Sequence, residues 1–168
     1  MTLCRTLSVA ELDAIASIVE MREIAVGKEL FRESDPGDGL FLVVAGEVEV
    51  IKRGPRGDYS LARLGPGEVL GEMSLITTDA RSATGRTSVD SRVLHLPGKP
   101  FRALLDVGSI AALKMVAAIA EVLAHRVATM NTLALDLADK TDPAGQKLPV
   151  LKDSELIALH RAMQVWSF

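Results

Sequence analysis

The sequence predicts an α+β chain: a sandwich, barrel or roll of short strands between an N-terminal helix and a long C-terminal helix. Three changes of texture predict it. Apolar residues step by three and four over 8–23, alternate or come in short runs over 24–97, and return to helical steps over 109–138. Nine glycines between Gly27 and Gly71 punctuate the middle stretch.

The first helix is read over SVAELDAIASIVEMRE, residues 8–23, with Leu12, Ile15, Ala16 and Val19 on one face. Ser8 stands three residues before Glu11, the spacing of a capping box. The strands are read at LFLVV (40–44), VEVI (48–51), SLARL (60–64) and RVLHL (92–96), with turns at DPGDG, AGE, RGPRGD and GPGE. Within 109–138, Val116, Ala120, Leu123, Val127, Met130, Ala134 and Leu137 alternate steps of four and three. That seven-residue period suits a seam between two helices, so the stripe is a candidate dimer contact. Leu113, Ala117, Ile119 and Val122 form a second apolar set beside it, leaving one side for the roll. At 1.5 Å per residue the helix would be roughly 45 Å long. The segment DKTDPAGQKLP (139–149) reads as a break, and 153–166 as a short helix capped by Asp153 or Ser154. The expected division is a domain at 1–138 and a tail at 139–168.

The 168 residues suit one domain, or one with an appendage. Hydrophobic residues make up 48% and charged residues 24%, enough for a packed core and against global disorder. A net charge of −3 argues against a general polyanion binder. Cys4 is the one cysteine, which excludes an internal disulfide. His95, His125 and His160 have no paired-ligand spacing, so no metal is expected. No signal pattern or membrane-length apolar run appears, and the expected location is the cytoplasm.

The chemistry concentrates in GEMSLITTDARSAT, residues 71–84. A carboxylate, Glu72, and a guanidinium, Arg81, bracket small or apolar residues. Gly71 permits a tight turn or a close approach to a ligand. Glu72 to Ile76 suits one helical turn, whose first amides lack intrahelical partners and suit a phosphate. Arg81 adds a forked cationic donor for the same anion. Glu72 repels phosphate but accepts from a hydroxyl beside it. A nucleoside 3′,5′-cyclic monophosphate has that pairing of phosphate and free hydroxyl.

This stretch resembles the phosphate-binding cassette of the cyclic-nucleotide-binding domain family: Gly-Glu, small apolar residues, a variable segment, then Arg, a small residue, Ala and Thr. VGKELFRESDPGDGLFLVVAGEVEVI, residues 26–51, resembles the family's strand-turn-strand signature, and the likeness covers about 7–137. The resemblance implies a double-stranded, jelly-roll-like β-roll flanked by an N-terminal and a long C-terminal helix. It implies that Glu72 accepts from the ribose 2′-hydroxyl and that Arg81 binds the cyclic phosphate. Backbone amides near Met73, Ser74 and Ala83 would help, and Ser82 would meet the phosphate or a guanine amine. Val50 and Leu61 would line the base. Thr84 is a further candidate, as are Arg126, paired with Glu72, and Asn131, on the purine edge. Trp166, with Phe168, is expected to pack on the roll as core, the alternative being an aromatic lid over the purine. Ala80 stands where many relatives have proline, and Gly85 where a valine usually begins the next strand. On propensity alone Gly85 costs about 1 kcal/mol.

In relatives such a domain controls something attached. From 139 to 168 the basic residues Lys140, Lys147, Lys152 and Arg161 are matched by Asp139, Asp142, Asp153 and Glu155. That is too short and too neutral for a winged helix on DNA. No catalytic constellation is visible. The expectation is a non-enzymatic, dimeric sensor of cAMP or cGMP, acting on a separate downstream protein, with no direct nucleic-acid or membrane contact. The alternatives are a roll kept for dimerisation without ligand, and a piece of a transcription factor or channel.

Overall fold

The computed structural model describes residues 2–77 and 79–141, of which 2 and 133–141 are described as backbone. The chain divides into two compact units, Met1–Ile119 and Ala120–Phe168.

In the first unit, helix α1 (Val9–Ala16) begins as its sequence requires. The Ser8 amide donates to Glu11 Oε2 at 2.6 Å, and the Glu11 amide donates to Ser8 Oγ at 3.4 Å. The helix is shorter than the sequence suggests. It ends at Ala16, and Glu20–Ile24 is strand β1, paired antiparallel with β8 (Ser91–Pro97). The apolar steps of three and four stop at Val19, and the residues after it take ladder bonds to β8.

Two four-stranded antiparallel sheets follow among the described residues. The first has the order β1-β8-β3-β6, with β3 at Gly39–Ala45 and β6 at Val69–Leu70. The second has the order β2-β7-β4-β5, with β2 at Glu29–Phe31, β7 at Thr84–Thr87, β4 at Val48–Gly54 and β5 at Gly57–Leu64. The expected β-roll with helices at both ends is borne out. Four strands read from the sequence lie within β3, β4, β5 and β8. The ones missed, β1, β2, β6 and β7, are two to five residues long, with at most two apolar residues in a row. Phe41, Val43 and Val93 from one sheet and Val48 from the other form the core, with Leu64 and Leu70.

Helix α2 (Met73–Ile76) lies against β3, and α3 (Gly98–Asp106) against β3 and β8. Helix α4 (Ile110–Thr141) begins in the first unit, where it buries Ala111, Ala112, Met115, Ala118 and Ile119. These recur at three- and four-residue steps, the stripe of an amphipathic helix. The packed face therefore differs from the second apolar set read in the sequence. Ile119 belongs to both, whereas Leu113 and Ala117 are exposed. Lys114 Nζ ties α4 to α1, donating to both Glu11 oxygens at 2.8 Å.

In the second unit α4 continues to Thr141, past the break expected at 139. Val127 and Met130 of the seven-residue stripe are exposed (57% and 59%). Ala134 and Leu137 lie in the helix, but their side chains fall outside the described residues. So do the helix expected at 153–166 and Trp166. Among the described residues, no single helix is long and apolar enough to cross a membrane.

Candidate functional site

The loop from β6 to β7 carries the cassette. Gly71 turns it with φ of 73°, a left-handed conformation that glycine adopts without steric penalty. Glu72 is the N-terminal cap residue of α2, and its side chain makes no capping bond. The expected single turn is present as Met73–Ile76, closed by the Leu75 amide on the Glu72 carbonyl at 3.1 Å. After it, Arg81 is fixed through its backbone. Its amide donates to the Asp35 carbonyl at 2.8 Å, and its carbonyl accepts from the Ser34 amide at 2.9 Å. Ala80, where relatives often carry proline, bridges Pro36 across the same joint.

Glu72 and Arg81 are both buried, at 5% and 3% exposure. Arg81 Nη1 donates to the Gly71 carbonyl at 3.1 Å and to Ser74 Oγ at 3.2 Å, and Nη2 donates to Asp38 Oδ1. The guanidinium carbon lies 4.1 Å from the ring centre of Phe31 and 5.6 Å from that of Phe41. Arg81 Nε is buried without a hydrogen-bond partner among the described residues. Burial pulls the pKa of Arg81 below its ordinary value, opposed by the carboxylates of Asp38, Glu72 and Asp35. The guanidinium stays charged regardless. Gly71 has a second role here, because a Cβ on it would stand 2.1 Å from Arg81 Nη1. Gly37 does the same for Ser74, where a Cβ would meet the serine Cβ at 2.3 Å.

The structure thus brings Gly71, Glu72, Ser74, Arg81 and buried Ala83 into one segment of the first unit. Ser74 contributes its hydroxyl to Arg81 as well as its backbone. Ser82 is exposed, and its carbonyl accepts from Lys52 Nζ at 2.7 Å. Val50 packs on the core from β4, while Leu61 on β5 is 60% exposed. Thr84 Oγ1 accepts from the Glu33 amide at 2.9 Å. It lines a cleft of about 470 Å³ with Glu29, Arg32, Glu33, Ser34, Ile51, Arg53, Asp58 and Arg86. Along β7, Thr84 and Arg86 alternate with buried Gly85 and Thr87. The cleft therefore opens on the face of β7 opposite the core. Arg126 and Asn131 belong to the second unit, Arg126 half-buried and Asn131 exposed.

Sequence reasoning missed Asp38, Phe31 and Phe41. DPGDG reads as a turn, and nothing local marks its second aspartate as the partner of an arginine 43 residues on. Phe41 reads only as part of the strand LFLVV, and nothing in the sequence singles out Phe31.

A family model described as the cyclic nucleotide-binding domain matches residues 21–107. The cyclic AMP receptor protein of Thermus thermophilus is 36% identical over 96 residues, covering 56% of this chain and 44% of that protein. A putative potassium channel protein of Rhodopseudomonas palustris is 31% identical over 99 residues, covering 59% of this chain and 24% of the channel protein. This chain thus spans less than half the length of either curated relative. The crystal structure of the Thermus thermophilus catabolite activator protein superposes with a TM-score of 0.71 at 32% identity, over 83% of this chain and 63% of that one. The N-terminal domain of a transcriptional regulator from Streptomyces coelicolor A3(2) gives 0.66 at 30% identity, over 77% and 92%.

Proposed function

Because the chain belongs to the cyclic nucleotide-binding domain family, we propose that it is a non-enzymatic sensor of a 3′,5′-cyclic nucleotide, cAMP or cGMP. One observation carries this reading. An arginine and a glutamate at the two ends of the 71–84 loop are both withdrawn from solvent, and the arginine keeps one buried N–H without a partner among the described residues. A buried cation is costly unless an anion and hydrogen bonds offset it. Asp38 supplies one anion. A cyclic phosphate is a second anion that competes for the same guanidinium, with two exocyclic oxygens to accept its donors.

In this reading Arg81 grips the phosphate, with backbone amides at Met73, Ser74 and Ala83. Glu72 accepts from the ribose 2′-hydroxyl. Ser82, Val50, Leu61, Thr84, Arg126 and Asn131 are the candidates for the rest of the nucleotide. The exposed Val127 and Met130 favour pairing of the α4 stripe with a second copy. The signal then leaves through that helix to a downstream protein in the cytoplasm.

Calorimetry with cAMP, cGMP and their 2′-deoxy forms tests the assignment. Arg81→Ala should weaken binding by about 2 kcal/mol or more, roughly thirtyfold, as for lost charged hydrogen bonds. The 2′-deoxy nucleotides should lose affinity through Glu72 alone. No heat with either nucleotide at millimolar ligand would leave a roll that serves only for dimerisation or docking.

A further inference from the structure

His95 lies on β8, paired with Glu20 of β1 on one side and Phe41 of β3 on the other. Its ring stacks on Phe41 with centroids 4.5 Å apart. The side chain is buried, and neither ring nitrogen has a hydrogen-bond partner among the described residues. Each instead faces a carboxylate just beyond bonding reach. Nδ1 is 3.6 Å from Glu20 Oε2, and Nε2 is 3.6 Å from Asp38 Oδ2. Both carboxylates are already held by arginines: Glu20 Oε2 takes Arg22 Nη2 at 2.7 Å, and Asp38 Oδ1 takes Arg81 Nη2. The same-face neighbours on β8, Val93 and Pro97, carry no charge. On α3, which also packs on β8, Arg102 Nη1 is turned to the Ser74 carbonyl at 3.5 Å. The charged groups around the imidazole are therefore Glu20 and Arg22 from β1 and Asp38 from the loop before β3, with Arg81 behind Asp38.

A neutral imidazole has one N–H, so one of its nitrogens must turn a lone pair toward a carboxylate. An imidazolium has a donor for each. Burial and the Arg22 charge hold the ring's pKa below its ordinary 6.5, against the pull of Asp38 and Glu20. The ring is thus poised between an environment that resists charge and two acceptors arranged for it.

We propose that His95 is a proton-linked positioning residue for the nucleotide phosphate, sharing Asp38 with Arg81 so that protonation and nucleotide binding strengthen one another. The proposal rests on the reading of Arg81 as the phosphate anchor. Without nucleotide, Arg81 neutralises Asp38, which then offers little to an imidazolium. When a phosphate takes the guanidinium, the Asp38 charge is released toward Nε2 and favours the protonated ring. Linkage is reciprocal, so a proton on His95 loosens Asp38 from Arg81 and raises affinity by the same factor.

Two measurements on the full chain test this. Calorimetric titration with cAMP and with cGMP should give about fivefold tighter binding at pH 5.5 than at pH 8, the lower end of ordinary site coupling. His95→Gln should flatten that dependence, which excludes His125 and His160 as its source. Affinity equal at both pH values, or a dependence unchanged in His95→Gln, overturns the proposal. Should His95→Gln fail to fold, NMR titration of the wild-type imidazoles decides. The His95 midpoint should rise on saturation with nucleotide, and a midpoint that does not move overturns the link. In Asp38→Asn the rise of the His95 midpoint on saturation with nucleotide should be lost, which checks the shared carboxylate, and a rise that persists overturns its role. A chain that binds neither nucleotide at any pH refutes the sensor reading itself. A chain that binds without pH dependence refutes the His95 link alone.

Discussion

Replacing Gly71 by alanine separates two reasons for a glycine at the head of the cassette. The first is conformational. At φ of 73° a Cβ crowds the backbone, which costs about 1–2 kcal/mol. The second is specific to this site. The added Cβ would lie 2.1 Å from Arg81 Nη1, 3.1 Å from its Cζ and 3.1 Å from the Gly39 carbonyl oxygen. The guanidinium must then leave, and with it the bonds to the Gly71 carbonyl and Ser74 Oγ. Charged hydrogen bonds contribute about 1.5–3 kcal/mol each, and partial rehydration of the displaced group returns some of that. The expected loss is about 3–4 kcal/mol. Gly108 is the matched control. Its φ is 72°, and a Cβ there would meet nothing within 4 Å, so Gly108→Ala should cost the conformational part alone. Urea unfolding of both variants, with unchanged m values, reads the difference. Equal destabilisation would refute the claim that Gly71 makes room for Arg81.

Other expectations follow from buried polar groups and caps. Thr87 Oγ1 is fully buried, donates to the Ala25 carbonyl at 2.7 Å and accepts from the Lys28 amide at 3.1 Å. Thr87→Val should therefore lower stability by about 1–3 kcal/mol in urea titration, despite keeping the shape. Ser8→Ala removes one half of the capping box and should cost about 1 kcal/mol. The pH dependence has a definite sign. Burial holds the folded His95 pKa below its ordinary 6.5, so the unfolded chain binds its proton first, and its contribution is lost as pH falls from 6.5 through that lower folded value. Glu11, held low by Lys114, and Glu33, held low by Lys52, add a second loss as pH falls below 4.5. Thermal melts at pH 8, 6 and 4 should fall in that order. His95→Gln should remove the first step and keep the second.

The cassette was legible because its chemistry is local. A glycine, a helical turn and an arginine ten residues on state their geometry within one segment, and the structure has that turn at Met73–Ile76. The long strands were legible for a similar reason, since LFLVV and VEVI carry their burial in their own composition. What could not be read was set by pairing across the chain. Residues 20–23 read as the end of the first helix and instead join a strand because β8 offers a ladder. Asp38 looks like turn chemistry and becomes the partner of Arg81 only when the loop before β3 is folded against the cassette. His95 sits in a run that reads simply as a strand. Its two carboxylates come from β1 and from that loop, so their arrangement exists only in three dimensions.

Gly85 shows how the same distinction changes the sign of an energetic argument. By propensity it is a defect, a glycine inside a strand where a valine would be expected. In the sheet it pairs with Val50 on β4 and with Phe31 on β2. A Cβ at Gly85 would stand 3.0 Å from Leu70 Cδ1 and 3.1–3.2 Å from two carbons of the Phe31 ring. The space a valine would fill is already occupied by that ring, whose other neighbours are Phe41 at 5.7 Å and the Arg81 guanidinium at 4.1 Å. The strand loses a side chain and the site gains an aromatic face beneath its cation. Core density depends on total volume rather than on which strand supplies it, so the glycine and the phenylalanine are two halves of one packing solution. Their cost has to be reckoned at Arg81, where the ring does its second job, rather than along β7.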